Sequence, residues 1–395
     1  MRMFNCIVCH TQLAPTFSLG LQPLANKYPK SQTEKDNEFK AEMNVYFCED
    51  CGYANVPCSV DRSVFFEDYY YLSSVNKELN NHFIDLAEEI YQKKFNFVVD
   101  VGSNDGILLR PLKERGVKFL GVDPSENVSK IANDNGFTTI VGFFDEMMVE
   151  HILNDYGRPD LITASSVFTH LDDPLSFFTN VKNLLQPNGR LIIEVEYLHK
   201  IISDFAFERF YFDRPHYYSL ITLAKMGAKY GFNIEDASIV NVHGGSLKVT
   251  FVLGEVDLIH SNVKKILEHE AAHLNTSTFL SKFNDFRTGC ENMRKAIHEF
   301  KGNGFSVAGY GCPARFSTIS NFSGLSAADI SHVVDDSPLK QGRFSPGRHI
   351  PIVSYHPEEK PDVYIVFAFE YIASIKEKVG SLRVGYFKPV PFLGI

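Results

Sequence analysis

Two sets of residues in this chain are spaced for chemistry. Cys6-x-x-Cys9 and Cys48-x-x-Cys51 form two knuckles, each able to present two thiolates to one tetrahedral ion. Four thiolates leave no open coordination position, so zinc held there is structural. Cys58, Cys290 and Cys312 have no partner spacing and read as ordinary buried residues. The second set is Asp100-Val101-Gly102-Ser103-Asn104-Asp105-Gly106, a turn that follows an apolar run and opens a helical one. Glycines there let backbone approach a ligand closely, and the helix N-terminus supplies unpaired N–H groups. Asp123 lies 17 residues beyond Gly106, at the end of the next apolar run. A carboxylate at that point can accept both hydroxyl hydrogens of a ribose. Glycines alone are a weak signal; a strand before them, a helix after them and the later carboxylate make a specific one.

A third pattern competes. His269-Glu270-Ala271-Ala272-His273 matches the H-E-x-x-H zinc-protease motif and lies in a helical stretch. That stretch reads as a connector between two α/β units, where a five-residue match in a His- and Glu-rich helix arises by chance. Four cysteine ligands favour the structural zinc; ligation by His269 and His273 would favour the protease.

The elements that must position these residues follow from periodicity. Leu79, Phe83, Leu86 and Ile90 mark one face of a helix. Phe97–Val101, Lys118–Val122, Thr138–Val141, Asp160–Ala164 and Arg190–Val195 read as strands. Ile107–Arg115, a helix capped by Ser125 and ended by Gly136, and a helix bearing Leu175, Phe178, Leu184 and Leu185 lie between them. Strand–helix alternation at this spacing predicts a parallel doubly wound sheet. Ser238–Val242 and Ser246–Leu253, joined by His243-Gly244-Gly245, read as an antiparallel hairpin at its edge. Residues 257–301 read as helical. Phe305–Ala308, Ile330–Val334, Ile350–Val353 and Asp362–Ala368 predict a second, smaller α/β unit.

The chain has 395 residues, 44% of them hydrophobic and 22% charged, the balance of a globular protein of two or three domains. Its net charge of −9 gives no bulk attraction to nucleic acid or anionic lipid. No run of about 18 apolar residues predicts a membrane span. Met1-Arg2-Met3-Phe4-Asn5-Cys6 lacks the apolar core of a signal peptide, so a reducing, cytoplasmic location is expected, where paired cysteines bind metal rather than form disulfides.

At this point the residues resemble a known family, the S-adenosylmethionine-dependent C-methyltransferases of nucleotide-linked deoxysugars. The resemblance covers almost the whole chain. It is carried by the two cysteine pairs with Leu19-Gly20-Leu21-Gln22-Pro23-Leu24-Ala25-Asn26, by Val101–Arg110, and by Val122-Asp123-Pro124-Ser125. His243-Gly244-Gly245-Ser246-Leu247, Gly309–Arg315, and Asp335–Arg343 continuing through Pro346–Pro351 extend it. The resemblance implies an α/β protein: a class I methyltransferase doubly wound sheet, a small N-terminal zinc-binding domain and a C-terminal Rossmann-like domain. The corresponding segments are 1–72, 73–256 and 257–395, the last including the helical connector.

The implied chemistry is C-methylation, through an enolate, of a thymidine-diphosphate or similar 4-keto-deoxysugar. O- or N-methylation of a related nucleotide-sugar is the alternative, and a nucleotide-binding protein without catalysis is the rival from another class. The implied cofactor residues are Asp100, Gly102, Asn104, Gly106, Asp123, Pro124, Phe144 and Ser165. The family's polar active-site residues fall on Tyr71, His170, Tyr211 and Asp213. One departure matters: the family motif Tyr-x-Glu-His reads Tyr211-Phe212-Asp213-Arg214 here. Arginine stays protonated and cannot be a base. His216 or His170 is therefore expected to take the substrate proton, with Arg214 binding the substrate. His243, Gly244, Gly245, Arg315, Lys340 and Arg343 complete the expected substrate set. The family usually has Trp-Asn near Phe369-Glu370. A monomer or homodimer is expected.

Overall fold

A computed structural model describes residues 3–61, 63–66, 72–256, 258–380 and 385–395, with backbone only at 63 and 66. Seven strands build the central sheet: β1 (Phe97–Val101), β2 (Lys118–Asp123), β3 (Thr139–Val141), β4 (Leu161–Ser165), β5 (Arg190–Glu196), β6 (Phe232–Val240) and β7 (Ser246–Leu253). Their order is 3-2-1-4-5-7-6. β1 to β5 pair in parallel and β7 runs antiparallel to both β5 and β6. All five residues of β1 are buried, as a central parallel strand covered on both faces requires. The order reverses between β1 and β4, which opens a crevice beyond their carboxyl ends. One covering helix is Lys77–Gln92; Asn76 caps it by accepting the Leu79 N–H, and Leu79, Phe83, Leu86 and Ile90 are its buried face.

The expected hairpin is present but longer, and β6 rather than β7 is the edge strand. Its first half escaped the sequence reading because the register shifts between Ile234 and Asp236, which breaks the alternation that marks a strand.

A second, antiparallel sheet orders His216–Tyr217, Tyr53–Asn55, Lys40–Cys48 and Phe17–Pro23. Three strands come from the N-terminal segment; the fourth comes from the link between β5 and β6. A third sheet orders Ile352–Val353, Val333–Val334, Val307–Tyr310, Val363–Val366, Gly385–Lys388 and Leu393–Gly394, parallel except at its last strand. The connector is two helices, Ser261–His273 and Thr276–Gly302, the second capped by Asn275. Phe279, Phe283, Phe286 and Met293 of the long helix share one core with Phe17, Phe207, Phe210, Val307 and Ile365, so the second and third sheets meet in a common interior with the link between β5 and β6. Among the described residues no helix is long and apolar enough to cross a membrane.

Candidate active site and metal centre

The two cysteine knuckles converge. Ligand atoms of Cys6, Cys9, Cys48 and Cys51 all lie within 4.8 Å of one another, and the Sγ atoms of Cys9 and Cys48 are 3.6 Å apart. Burial pushes the Cys48 thiol up and the Cys51 thiol to about 12. Thiols so placed ionise together only around a cation, which fits a structural zinc. Among the described residues this is the one group of His, Cys, Asp and Glu able to hold a metal ion. The H-E-x-x-H helix does other work. Glu270 is fully buried and accepts the Leu220 and Ile221 N–H groups, holding the start of helix Leu220–Lys229. His273 donates Nδ1–H to the His269 carbonyl.

The glycine turn lies beyond the carboxyl end of β1. Gly102 and Gly106 have φ of +75° and +85°, and a Cβ on Gly102 would sit 2.8 Å from Val167 Cγ2. Asn104, also at positive φ, donates its backbone N–H to Asp123 Oδ2, and Ser125 N–H serves Oδ1. The Asp123 carboxylate is thus fixed at the end of β2, and burial raises its pKa. Burial also lifts Asp100 to about 7, with Thr163 Oγ1–H donating to it at 2.7 Å. The Asn104 side chain accepts the Ser73 N–H, and Asp105 accepts that of Ser74. Pro124 is half-buried beside Asp123. Phe144 is half-buried with its ring 5.4 Å from Phe177. Ser165 Oγ, at the end of β4, is a buried atom with no partner among the described residues, as are Ser103 Oγ and Asp105 Oδ1. Orphaned polar atoms around a cradle that a Cβ would fill fit a nucleoside-bearing cofactor.

Next to this cradle, at the ends of β4 and β5, a polar cluster forms. His170 Nδ1 is 2.6 Å from the Asp213 carbonyl, which only accepts; Nδ1 therefore carries the proton and Nε2 the lone pair. Arg214 Nε lies 3.4 Å from that Nε2, and its guanidinium sits 5.2 Å from the Tyr211 ring centroid. Asn26 Nδ2 donates to Asp213 Oδ2 at 2.7 Å. Burial pushes the Tyr211 phenol up, so it is a donor rather than a phenolate. Burial, with Arg214 next, lowers His243 to about 4 and keeps it neutral. Tyr71 lies outside the described residues.

His216 is placed elsewhere. Its strand belongs to the second sheet, its ring stacks against Tyr53 and Tyr218, and Nδ1 is 2.5 Å from Tyr53 Oη. The expected substrate cations are also committed. Arg315 pairs with both carboxylate oxygens of Glu370. Lys340 Nζ sits 3.4 Å from Asp335 and 3.1 Å from the Cys312 carbonyl, and Arg343 donates to the Tyr28 carbonyl. Gly244 is at φ +76° and a Cβ there would also collide with Arg209, which donates to the His243 carbonyl.

Sequence reasoning missed the ladder that ties these parts together. Arg214 pairs with Glu196, Glu196 with Arg209 at 3.4 Å, Arg209 with Glu370 at 3.3 Å, and Glu370 with Arg315. Arg214 and Glu370 stand on this one ladder with opposite charges. It also missed His82, whose Nε2 lies 2.9 and 3.0 Å from the buried Glu194 carboxylate.

With the geometry in view, known proteins supply the class. A methyltransferase-domain family model matches residues 71–237, the segment that holds the glycine turn and Asp123. The protein is a class I S-adenosylmethionine-dependent methyltransferase, with S-adenosylmethionine as its cofactor. A zinc binding domain model matches residues 6–66, and the C-methyltransferase C-terminal domain model matches 241–389. The C-methyltransferase NovU of Streptomyces niveus is 29% identical over 94% of this chain and 91% of its own. The three models thus match, in chain order, a zinc binding domain, a methyltransferase domain and a C-methyltransferase C-terminal domain. The ubiquinone biosynthesis O-methyltransferase of Vibrio parahaemolyticus is 24% identical over 34% of this chain and 57% of its own. Among solved structures, the magnesium protoporphyrin IX methyltransferase of Synechocystis PCC 6803 with bound SAH matches at 16% identity and a TM-score of 0.39, covering 49% of this chain and 99% of that one.

Proposed function

We propose that the protein C-methylates a nucleotide-linked 4-keto-deoxysugar, a small molecule, on a carbon next to the ketone. The observation that carries this reading is the His170–Arg214–Tyr211 cluster: an imidazole whose Nδ1 is held by the Asp213 carbonyl and whose Nε2 faces the Arg214 Nε–H, with that guanidinium beside the Tyr211 ring. When bound, S-adenosylmethionine supplies an electrophilic methyl on a sulfonium. Asp123, Asn104 and the Gly102 turn hold it, and Phe144, Pro124 and Ser165 line its place. His170 Nε2 takes the proton from the carbon beside the ketone. Arg214 and the Tyr211 phenol donate to the ketone oxygen as it gains negative charge. Asp213 orients His170 through its carbonyl and is itself held by Asn26. His216, locked against Tyr53, is not the base.

The test is deuterium exchange at that carbon in thymidine-diphosphate-4-keto-6-deoxyglucose, with S-adenosylhomocysteine in place of the methyl donor. Exchange should occur with the wild type, vanish in His170→Ala and survive His216→Ala provided the variant folds. Mass spectrometry with the methyl donor should then show a C-methyl product. An O-methyl or N-methyl sugar would end the carbon-acid reading, and no turnover of labelled cofactor with any nucleotide-ketosugar would end the substrate class.

A further inference from the structure

Glu196 stands at the last position of β5, within the polar cluster, and only 7% of the residue is exposed. Its two oxygens are treated unequally. Oε1 takes both Arg214 Nη1 and Arg209 Nη1. Oε2 is buried and has no hydrogen-bond partner among the described residues. The carboxylate is ionised: burial alone would raise its pKa, but Arg214 and Arg209 hold it at about 2. So acidic a group is a poor base at neutral pH and a strong acceptor. A charged oxygen cut off from water and from every protein donor is destabilising unless something else donates to it. Arg209 cannot turn to serve it, because the same guanidinium is tied to the His243 carbonyl and to Glu370. Arg214 is drawn the other way, toward His170. Among the described residues no donor serves Oε2, and a donor on the methyl acceptor, bound beside this cluster, would satisfy it.

We propose that Glu196 is a specificity residue whose Oε2 accepts a hydrogen bond from a ring hydroxyl, or an ammonium in its place, on the sugar that is methylated. The inference rests on the nucleotide-sugar reading above. It makes the site select sugars that keep a donor near the ketone. A site built to hydrogen-bond a hydroxyl rejects the analogue that lacks it far more strongly than an apolar pocket does, because the buried acceptor is then stranded.

The experiment uses the zinc-loaded full chain with S-adenosylhomocysteine for binding and S-adenosylmethionine for turnover. The probes are thymidine-diphosphate-4-keto-6-deoxyglucose and its 2-deoxy and 3-deoxy analogues. One deoxy analogue should bind and react with the wild type 10- to 100-fold more weakly than the parent, a range set by one charged hydrogen bond. Glu196→Gln should weaken the parent by a similar factor, mainly in KM, and leave that same analogue no worse than the wild type does. Multiplicative losses would mean that Glu196 only braces Arg214 and Arg209, and would overturn the proposal. Calorimetry of S-adenosylhomocysteine on Glu196→Gln checks that the fold survives; if it does not, the wild-type comparison of the three sugars still decides. Equal binding of all three by the wild type overturns the specificity role alone. Binding of none overturns the nucleotide-sugar reading and this inference with it.

Discussion

The central and C-terminal sheets solve the same problem twice, and their differences show what makes a nucleoside site. In both, a glycine at positive φ follows the first strand and bonds back to the second: Gly102 N–H to the Val122 carbonyl, Gly311 N–H to that of Val334, each at 2.7 Å. In both, the next residue on the second strand is an aspartate whose two oxygens accept backbone N–H groups. Asp123 takes Asn104 and Ser125; Asp335 takes Cys312 and Ser337. The frames part in the turn. The central one runs from Gly102 to a helix beginning at Leu109, whereas Gly311 leads within three residues to a helix beginning at Ala314, after Pro313. The Asp335 carboxylate also carries Lys340, and the adjacent Cys312 carbonyl accepts from Tyr28 Oη and Lys340. The same aspartate therefore reads as a ligand site in one half and as an internal cap in the other. Turn length and the neighbour on its open side decide which.

The largest effect should be common to both halves. The N-terminal segment touches each, through Asn26 to Asp213 and Tyr28 to Cys312. Structural zinc contributes on the order of 10 kcal/mol in isolated peptides. Metal analysis should find one zinc per chain, and its chelation should abolish cooperative unfolding and cofactor affinity together. A chelated chain that still binds cofactor normally would separate the halves from their shared base.

The glycines come next. Gly311→Val should lower stability by roughly 3–5 kcal/mol, since its side chain would strike Ala368 side chain and backbone at a strained φ. Gly102→Val first meets the Val167 side chain rather than backbone and should lose about 1–3 kcal/mol while eliminating cofactor binding. Thermal unfolding with calorimetry checks both; equal cofactor loss in the two variants would break the comparison.

A raised aspartate beneath the turn should belong to the central half alone, because Gly309 stands where Asp100 does, two residues before the positive-φ glycine. Asp100 is raised to about 7 by burial, against about 3.9 in an unfolded chain. Its contribution is therefore present below pH 4 and lost as pH rises toward 7, a fall of roughly 2–4 kcal/mol. Asp100→Asn should flatten that slope in denaturant titrations across this range; an unchanged slope would place the titration elsewhere.

The paired aspartates sharpen the contrast. Asp123→Ala should weaken S-adenosylmethionine by about 1–3 kcal/mol in calorimetry, whereas Asp335→Ala should lower stability by about that amount and leave cofactor affinity alone. Smallest of all, Lys340→Ala should change stability by less than about 1 kcal/mol, since that ion pair is partly solvated. Nucleoside binding gained at Asp335 in this variant would show that the lysine, rather than the short turn, closes the second site.

What the sequence made legible was local. The strand–turn–helix at Asp100–Gly106 and the aspartate after Val122 are encoded within a few residues of one another, so pattern reading found them. Four of the six C-terminal strands were found, with ends misplaced by about two residues, because strands such as Val333–Val334 and Ile352–Val353 are too short to show alternation; Gly385–Lys388 and Leu393–Gly394 were missed. The ladder from Arg214 to Arg315 was invisible, since Arg209 and Glu370 lie 161 residues apart and no spacing rule joins them. His216 was offered as a base for its closeness in sequence to Arg214. Pro215 turns the chain there, and its carbonyl accepts the Val56 N–H, so the next residue enters a different sheet.

That strand has a consequence for how the chain is made. Tyr53–Asn55 pairs on one side with Lys40–Cys48, but its other edge waits for His216–Tyr217; Asn55 and His216 are separated by 161 positions. During synthesis the cysteine-bearing segment leaves the ribosome first, with an unpaired strand edge until the central sheet has largely emerged. Such an edge is open to pairing with another nascent chain. Closing so long a loop makes the small sheet a late, non-local event in folding. Truncated chains ending before residue 216 should therefore associate or be proteolysed at Tyr53–Asn55, while chains extended past residue 217 should not.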